Sequence, residues 1–179
     1  MKRVLIIGSP GAGKTTFARK LHSLLSLPLY HLDYYYHDTS YGYYDKKLAW
    51  RKKVTELAAK PVWIIDGNYK STFDVRFPRA DAIVYLDYSR ATTLYRAVTR
   101  RVKFHNRVRE DMPPVWKEKF SLELLRFIWS YNKLERPRVY TLLNAQPRNK
   151  QVVVLKNSRQ ASRFLAELKA RVDSDKVGT

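Results

Sequence analysis

Residues Gly8, Ser9, Pro10, Gly11, Ala12, Gly13, Lys14 and Thr15 spell G-x-x-x-x-G-K-T, the spacing of a phosphate-binding loop, and Thr16 follows. Glycines at these positions let the backbone approach a polyphosphate closely, and its N–H groups converge on the anion at a helix N-terminus. Lys14 adds a mobile positive charge for the outer phosphates, and the Thr15 hydroxyl is placed to ligate Mg²⁺. The chemistry this suggests is phosphoryl transfer from a nucleoside triphosphate, which needs positioning and charge neutralisation more than covalent catalysis.

Such a reaction also requires a carboxylate for the metal, one for the acceptor, and cations for the transferring group. Asp66 closes the apolar run Val62-Trp63-Ile64-Ile65 and is a candidate to hold Mg²⁺, directly or through water. Asp33 follows Leu29-Tyr30-His31-Leu32, where a carboxylate could take or orient an acceptor proton. The next residues, Tyr34-Tyr35-Tyr36, could wall the acceptor or stack on a ring, or fill a surface insertion while Asp33 caps a turn. Arg96 and Arg100 share a helix face, with Arg101 beside them, on a helix expected to end near Lys103. A polar, proline-marked stretch at about 103–118, carrying Arg107, Arg109 and Asp111, suits a short lid whose arginines close over the phosphates. The four histidines, His22, His31, His37 and His105, show no metal-ligand spacing and receive no role.

These residues must be positioned by a scaffold, and short β-branched runs at 4–7, 29–32, 62–65, 83–86 and 152–155 alternate with helical patterns. The alternation predicts an α/β fold: a three-layer α/β/α sandwich with a central five-stranded parallel sheet, whose ligands gather beyond the carboxyl ends of the strands. Helices are expected over 14–25, from about Arg159 to Val172, and over 120–144 with an interruption at Pro137. In the 120–144 segment Leu122, Leu125, Ile128 and Trp129 are expected on one face; in the last helix the buried positions are Ala161, Phe164, Leu165, Leu168 and Val172, capped by Asn157 or Ser158. Residues 1–172 form one expected domain, followed by a polar tail at 173–179.

Composition bounds the remaining possibilities. With 179 residues and 45% hydrophobic content, the chain builds one core, and its lack of cysteine rules out disulfides and thiolate zinc sites. No signal-peptide pattern and no apolar stretch of the roughly 20 residues needed to span a bilayer is present, so a cytoplasmic location without a membrane partner is expected. The net charge of +19 is large, and roughly half of the excess falls between Arg90 and Lys150. That charge suits a polyphosphate site, and it keeps open a nucleic-acid partner and an alternative reading as a nucleotide-gated nucleic-acid-binding ATPase.

Several blocks together resemble P-loop kinases of the adenylate-kinase-like superfamily and, within it, the DNA topology modulation protein family. They are the loop from Ile6 to Thr15, Tyr30-His31-Leu32-Asp33, Trp63-Ile64-Ile65-Asp66-Gly67-Asn68-Tyr69, Ala80-Asp81, Tyr85-Leu86-Asp87, Arg107-Val108-Arg109-Glu110-Asp111-Met112, and the helix Leu124-Leu125-Arg126-Phe127-Ile128-Trp129. The resemblance implies an ATP site at 8–16, Mg²⁺ organised by the Asp66-Gly67 pair, and a short lid with Arg107 and Arg109. The reading that follows is a kinase transferring the γ-phosphoryl group of Mg²⁺–ATP to a small acceptor, with a nucleotide or nucleoside among the candidates. The further arginine motif with which adenylate kinases hold a monophosphate is not recognisable, so the acceptor itself does not carry over. The family name adds an effect on DNA topology that a kinase site does not explain.

Overall fold

The protein is described from a computed structural model, in which residues 1–37, 46–104, 113 and 121–177 are described. Five strands, β1 (Arg3–Gly8), β2 (Leu29–His31), β3 (Trp63–Asp66), β4 (Ala82–Leu86) and β5 (Gln151–Leu155), form one sheet. Their spatial order is β2-β3-β1-β4-β5, with every neighbouring pair parallel. Central parallel strands are covered on both faces, and this explains why their sequences are continuous apolar runs.

The two faces alternate along each strand. Leu5 and Ile7 of β1, Trp63 and Ile65 of β3, and Ile83 and Tyr85 of β4 enter one core, while Val4, Ile6, Ile64, Val84 and Leu86 enter the other. The first core is closed by α3 (Lys46–Ala59), α4 (Phe73–Arg79) and α7 (Arg136–Asn144), which supply Trp50, Val54, Phe73, Phe77, Val139 and Leu143. The second is closed by α1 (Lys14–Leu25) and α8 (Ser158–Val177) through Phe17, Ala18, Leu21, Ala161 and Leu168. Asn157 is the cap of α8, its Oδ1 accepting from the Gln160 N–H at 2.9 Å. The helix continues through 173–177, the first residues of the stretch read as a polar tail.

Three differences from the sequence expectations have physical causes. The strand expected at 29–32 stops at His31, and Leu32 opens the short helix α2 (Leu32–His37), which turns Tyr35 and Tyr36 onto the core instead of into a surface insertion. The 120–144 segment divides into α6 (Leu122–Leu134) and α7 at the buried Glu135, with Pro137 near the start of α7, where a missing N–H costs nothing. On α6 the buried residues are Ile128 and Tyr131, whereas Leu122 and Trp129 are 61% and 60% exposed. The expected apolar face of that helix is therefore incorrect at its two largest outer positions; the Arg90 guanidinium covers the Trp129 ring, with 4.6 Å between the guanidinium carbon and the ring centroid.

Candidate functional site

The carboxyl ends of β1, β2 and β3 open into a cleft of about 760 Å³. One wall is the loop between β1 and α1. Gly11 has φ +82°, and a Cβ there would fall 2.2 Å from the Thr93 carbonyl oxygen, so only glycine allows the loop to lie against α5 (Arg90–Lys103). Gly13, at φ +87°, is the N-cap of α1 and offers no side-chain cap. The N–H groups of a helix's first turn have no partner within the helix, so this end of α1 is fitted to an anion.

Within the loop, Pro10 to Thr16 line the cleft, as expected of a phosphate cradle. Gly8 and Ser9 lie beneath it and do not line it. Lys14 Nζ donates to their carbonyl oxygens, at 2.9 Å to Gly8 and 3.2 Å to Ser9, which folds the ammonium over the loop. The Gly8 N–H donates to Asn68 Oδ1 at 3.0 Å, tying the start of the loop to the turn after β3.

That turn is the opposite wall, and Asp66 sits at its origin with a side chain only 5% exposed. Its Oδ1 lies 2.8 Å from His31 Nδ1 on the neighbouring strand. The parallel register that places His31 beside Asp66 brings this pair together. Asp33, in the first turn of α2, accepts a hydrogen bond from the Tyr69 hydroxyl at 2.8 Å. Burial, with the Asp33 charge and hydrogen bond, drives the Tyr69 phenol far above its ordinary range, so it remains a donor throughout the working pH range. His37, also lining the cleft, is pushed down by burial, against the opposing pull of Asp33.

Tyr69 adopts φ +23°, a conformation that a non-glycine residue holds only when its surroundings enforce it. Arg76 of α4 supplies the enforcement. Fully buried, it donates to the carbonyl oxygens of Gly67 at 2.8 Å, Asn68 at 2.8 Å and Tyr69 at 2.9 Å, and to Thr72 Oγ1 at 3.2 Å. Burial pushes this guanidinium down to about 9, with Tyr69, Asp66 and Asp74 opposing, so it is charged at neutral pH.

The third wall is α5. Arg96, Arg100 and Arg101 all line the cleft. Arg96 Nη2 donates to Ser158 Oγ at 2.7 Å, and its guanidinium lies over Tyr88, 5.1 Å from the ring centroid. It thereby links the loop side of the cleft to the start of α8. Arg107 and Arg109, with most of the expected lid at 103–118, lie outside the described residues.

Asp87, at the exit of β4, belongs to the framework. It accepts two-pronged hydrogen bonds from Arg136 and one from the Tyr140 hydroxyl at 2.7 Å, which pins α7 to the sheet. Burial raises its carboxyl, but the Arg136 and Tyr140 bonds outweigh burial and hold it below the ordinary carboxylate range.

Of the residues singled out from sequence, Pro10 to Thr16, Asp33, Asp66, Arg96 and Arg100 line this one cleft. His31, Arg76 and the supporting use of Asn68 and Tyr69 were not legible from sequence. A strand-end histidine opposite a strand-end aspartate could have signalled the first; nothing in the local pattern around Arg76 distinguishes it from a solvated arginine.

Thr15 and Asp66, which both line the cleft, give a hydroxyl and a carboxylate of the oxygen-donor kind that Mg²⁺ takes. Among the described residues no group of three or more histidine or carboxylate side chains forms a dedicated metal cage. An ion bound by few protein oxygens alongside a polyphosphate fits this donor set. No described helix is long and apolar enough to cross a membrane.

No family model matches the sequence, and no curated protein matches it. Solved structures do. Shikimate kinase from Bacteroides thetaiotaomicron superposes with a TM-score of 0.58 at 20% identity, covering 96% of this chain and 98% of that one. Shikimate kinase from Acinetobacter baumannii, in complex with shikimate, gives 0.58 at 17% identity over 98% and 95%. A gluconokinase from Sinorhizobium meliloti gives 0.53 at 16% identity over 97% of each chain. With its five-stranded parallel sheet, flanking helices and phosphate-loop sequence between β1 and α1, this chain shares the fold of these kinases.

Proposed function

We propose that the protein is a kinase that transfers the γ-phosphoryl group of ATP, with Mg²⁺, to a hydroxyl of a small acceptor. The observation that carries this reading is one cleft with a phosphate loop and Lys14 on one wall and the Asp33–Tyr69 pair on the other. A phosphate-binding wall alone would suit any nucleotide binder; an oriented carboxylate facing it suits transfer.

In this reading the backbone from Pro10 to Thr16 binds the polyphosphate, and Lys14 exchanges its loop carbonyls for phosphate oxygens. Thr15 and Asp66 would hold Mg²⁺, and the ion supplies charge neutralisation at the phosphates when bound. His31 fixes the orientation of Asp66. The acceptor oxygen forms its bond to the γ-phosphorus while the bond from that phosphorus to the bridging oxygen of ADP breaks, leaving the electron pair on ADP. The hydroxyl proton passes to Asp33, which Tyr69 holds in place. Arg96 and Arg100 stabilise the transferring group, and we assign Arg107 and Arg109 to the same task as lid residues.

The finer assignment, to the DNA topology modulation family, rests on the sequence blocks. It is supported by the use this cleft makes of them, since His31, Asp33, Asp66, Asn68 and Tyr69 all enter its hydrogen bonding.

The experiment that tests the function is Mg²⁺-dependent ADP formation across nucleosides, nucleoside monophosphates and small polyols, comparing the wild type with Asp33→Asn. An acceptor should raise ADP formation in the wild type, and Asp33→Asn should lower that rate by about 100-fold or more while ATP affinity stays within about twofold. Equal loss of ATP affinity and turnover would contradict the acceptor role of Asp33.

A further inference from the structure

The two halves of the cleft differ in charge. The acceptor side, built from β2, α2 and the turn after β3, presents the carboxylates of Asp33 and Asp66 together with His31, His37 and the Tyr69 hydroxyl. Among the described residues, the lysines and arginines that line the cleft all come from α1 and α5, the two helices that meet the phosphate loop. They include Lys14 at the loop itself and Arg96, whose Nη1 lies 3.5 Å from the position a Gly13 Cβ would take.

The cations beside the acceptor-side elements are committed elsewhere. Lys70, directly after the turn, is paired with Glu135 at 2.8 Å and does not line the cleft. Arg76 is fully buried, donates to the Gly67, Asn68 and Tyr69 carbonyl oxygens, and does not line the cleft. Arg51 of α3 is paired with Asp74. Lys46 at the start of α3 lies over the Tyr36 ring, 5.0 Å from its centroid, and is also outside the lining.

We propose that the acceptor is an uncharged or cationic hydroxyl compound, such as a nucleoside, sugar, polyol or amino sugar, and not a phosphate monoester or carboxylate-bearing derivative of the same scaffold. The inference rests on the kinase reading and narrows it. A carboxylate or phosphate seated against Asp33 meets like charge with no compensating guanidinium among the described residues. Hydroxyl or ammonium groups there donate to Asp33 and gain charge-assisted hydrogen bonds. The discrimination is a property of the acceptor wall, so it operates whichever hydroxyl is phosphorylated.

The test uses matched pairs on the full chain: a nucleoside against its 5′-monophosphate, and a hexose against its aldonate, with the 2-amino hexose as the cationic member. Initial rates of acceptor phosphorylation by Mg²⁺–ATP give kcat/KM, and calorimetry without nucleotide gives acceptor affinity. In the pair that contains the accepted scaffold, the uncharged or cationic member should be favoured by about tenfold or more in both measurements. Asp33→Asn should bring the calorimetric ratio to within about threefold, because the repelling charge is gone. Preference for the anionic member, or a ratio unmoved by Asp33→Asn, would overturn the inference and leave the kinase reading standing. Failure of every member to be phosphorylated would remove the kinase reading itself, and this inference with it.

Discussion

At the residue scale, the site depends on a small set of side chains that hold other side chains in place. Asp33 and Asp66 are each fixed by one neighbour, Tyr69 and His31 respectively, and Tyr69 is itself held at a positive φ by Arg76. The Tyr69 hydroxyl is the most direct place to test this. Tyr69→Phe retains the ring that packs against Trp50, 4.8 Å between centroids, and removes only the hydrogen bond to Asp33. We expect kcat to fall about tenfold with the KM for ATP unchanged. A parallel loss of ATP affinity would show that Tyr69 serves the fold and not the acceptor side. Motif spacing and strand-exit position made Lys14, Thr15, Asp33 and Asp66 readable from the sequence. Arg76 was not readable, because an arginine in a seven-residue helix of mixed polarity reads as solvated, and only the tertiary turn of residues 67–69 explains its burial.

At the scale of elements, the close approach of the phosphate loop to α5 sets a strict requirement. Gly11→Ala forces a Cβ to within 2.2 Å of a backbone oxygen at a positive φ, so the loop or α5 must move. We expect a destabilisation of about 2 kcal/mol or more, measured by denaturant unfolding, together with loss of nucleotide binding. Asp87 makes a different claim, on pH. Its folded carboxyl lies below the ordinary aspartate value of about 3.9, so its stabilising contribution is complete above that value and is lost as pH falls through the lower folded one. Asp87→Asn should therefore cost about 1–2 kcal/mol at pH 7 and progressively less below about pH 4. A pH-independent difference would mean that the Arg136 contact contributes no charge-dependent stability. The strands were legible because a parallel sheet covered on both faces requires unbroken apolar runs. The helix α3 was not: Lys46, Lys47, Arg51, Lys52 and Lys53 dominate its sequence, and its buried stripe is only Trp50, Val54, Leu57 and Ala58. On α6 the opposite occurred, since apolar Leu122 and Trp129 suggested a buried face that the fold leaves exposed.

At the scale of the whole molecule, the charge of +19 has a visible use. Lys14, Arg19, Lys20, Arg96, Arg100 and Arg101 line one side of the cleft, while the carboxylates Asp33 and Asp66 line the other. The fold thus separates a wall suited to polyphosphate from a wall suited to a hydroxyl donor, with β1 and β3 between them setting the distance. A gated binder would need only the first wall. In the proposed reading the second wall is what a transferase adds, and the fate of the phosphoryl group reports on it directly. The decisive measurement is to follow the γ-phosphoryl label of ATP with Mg²⁺ and each candidate acceptor, in the wild type and in Lys14→Ala. The account predicts that the label appears in an acceptor phosphate ester in the wild type and falls by about 100-fold in the variant. Label recovered only as inorganic phosphate with every acceptor, or ester formation indifferent to Lys14, would contradict it.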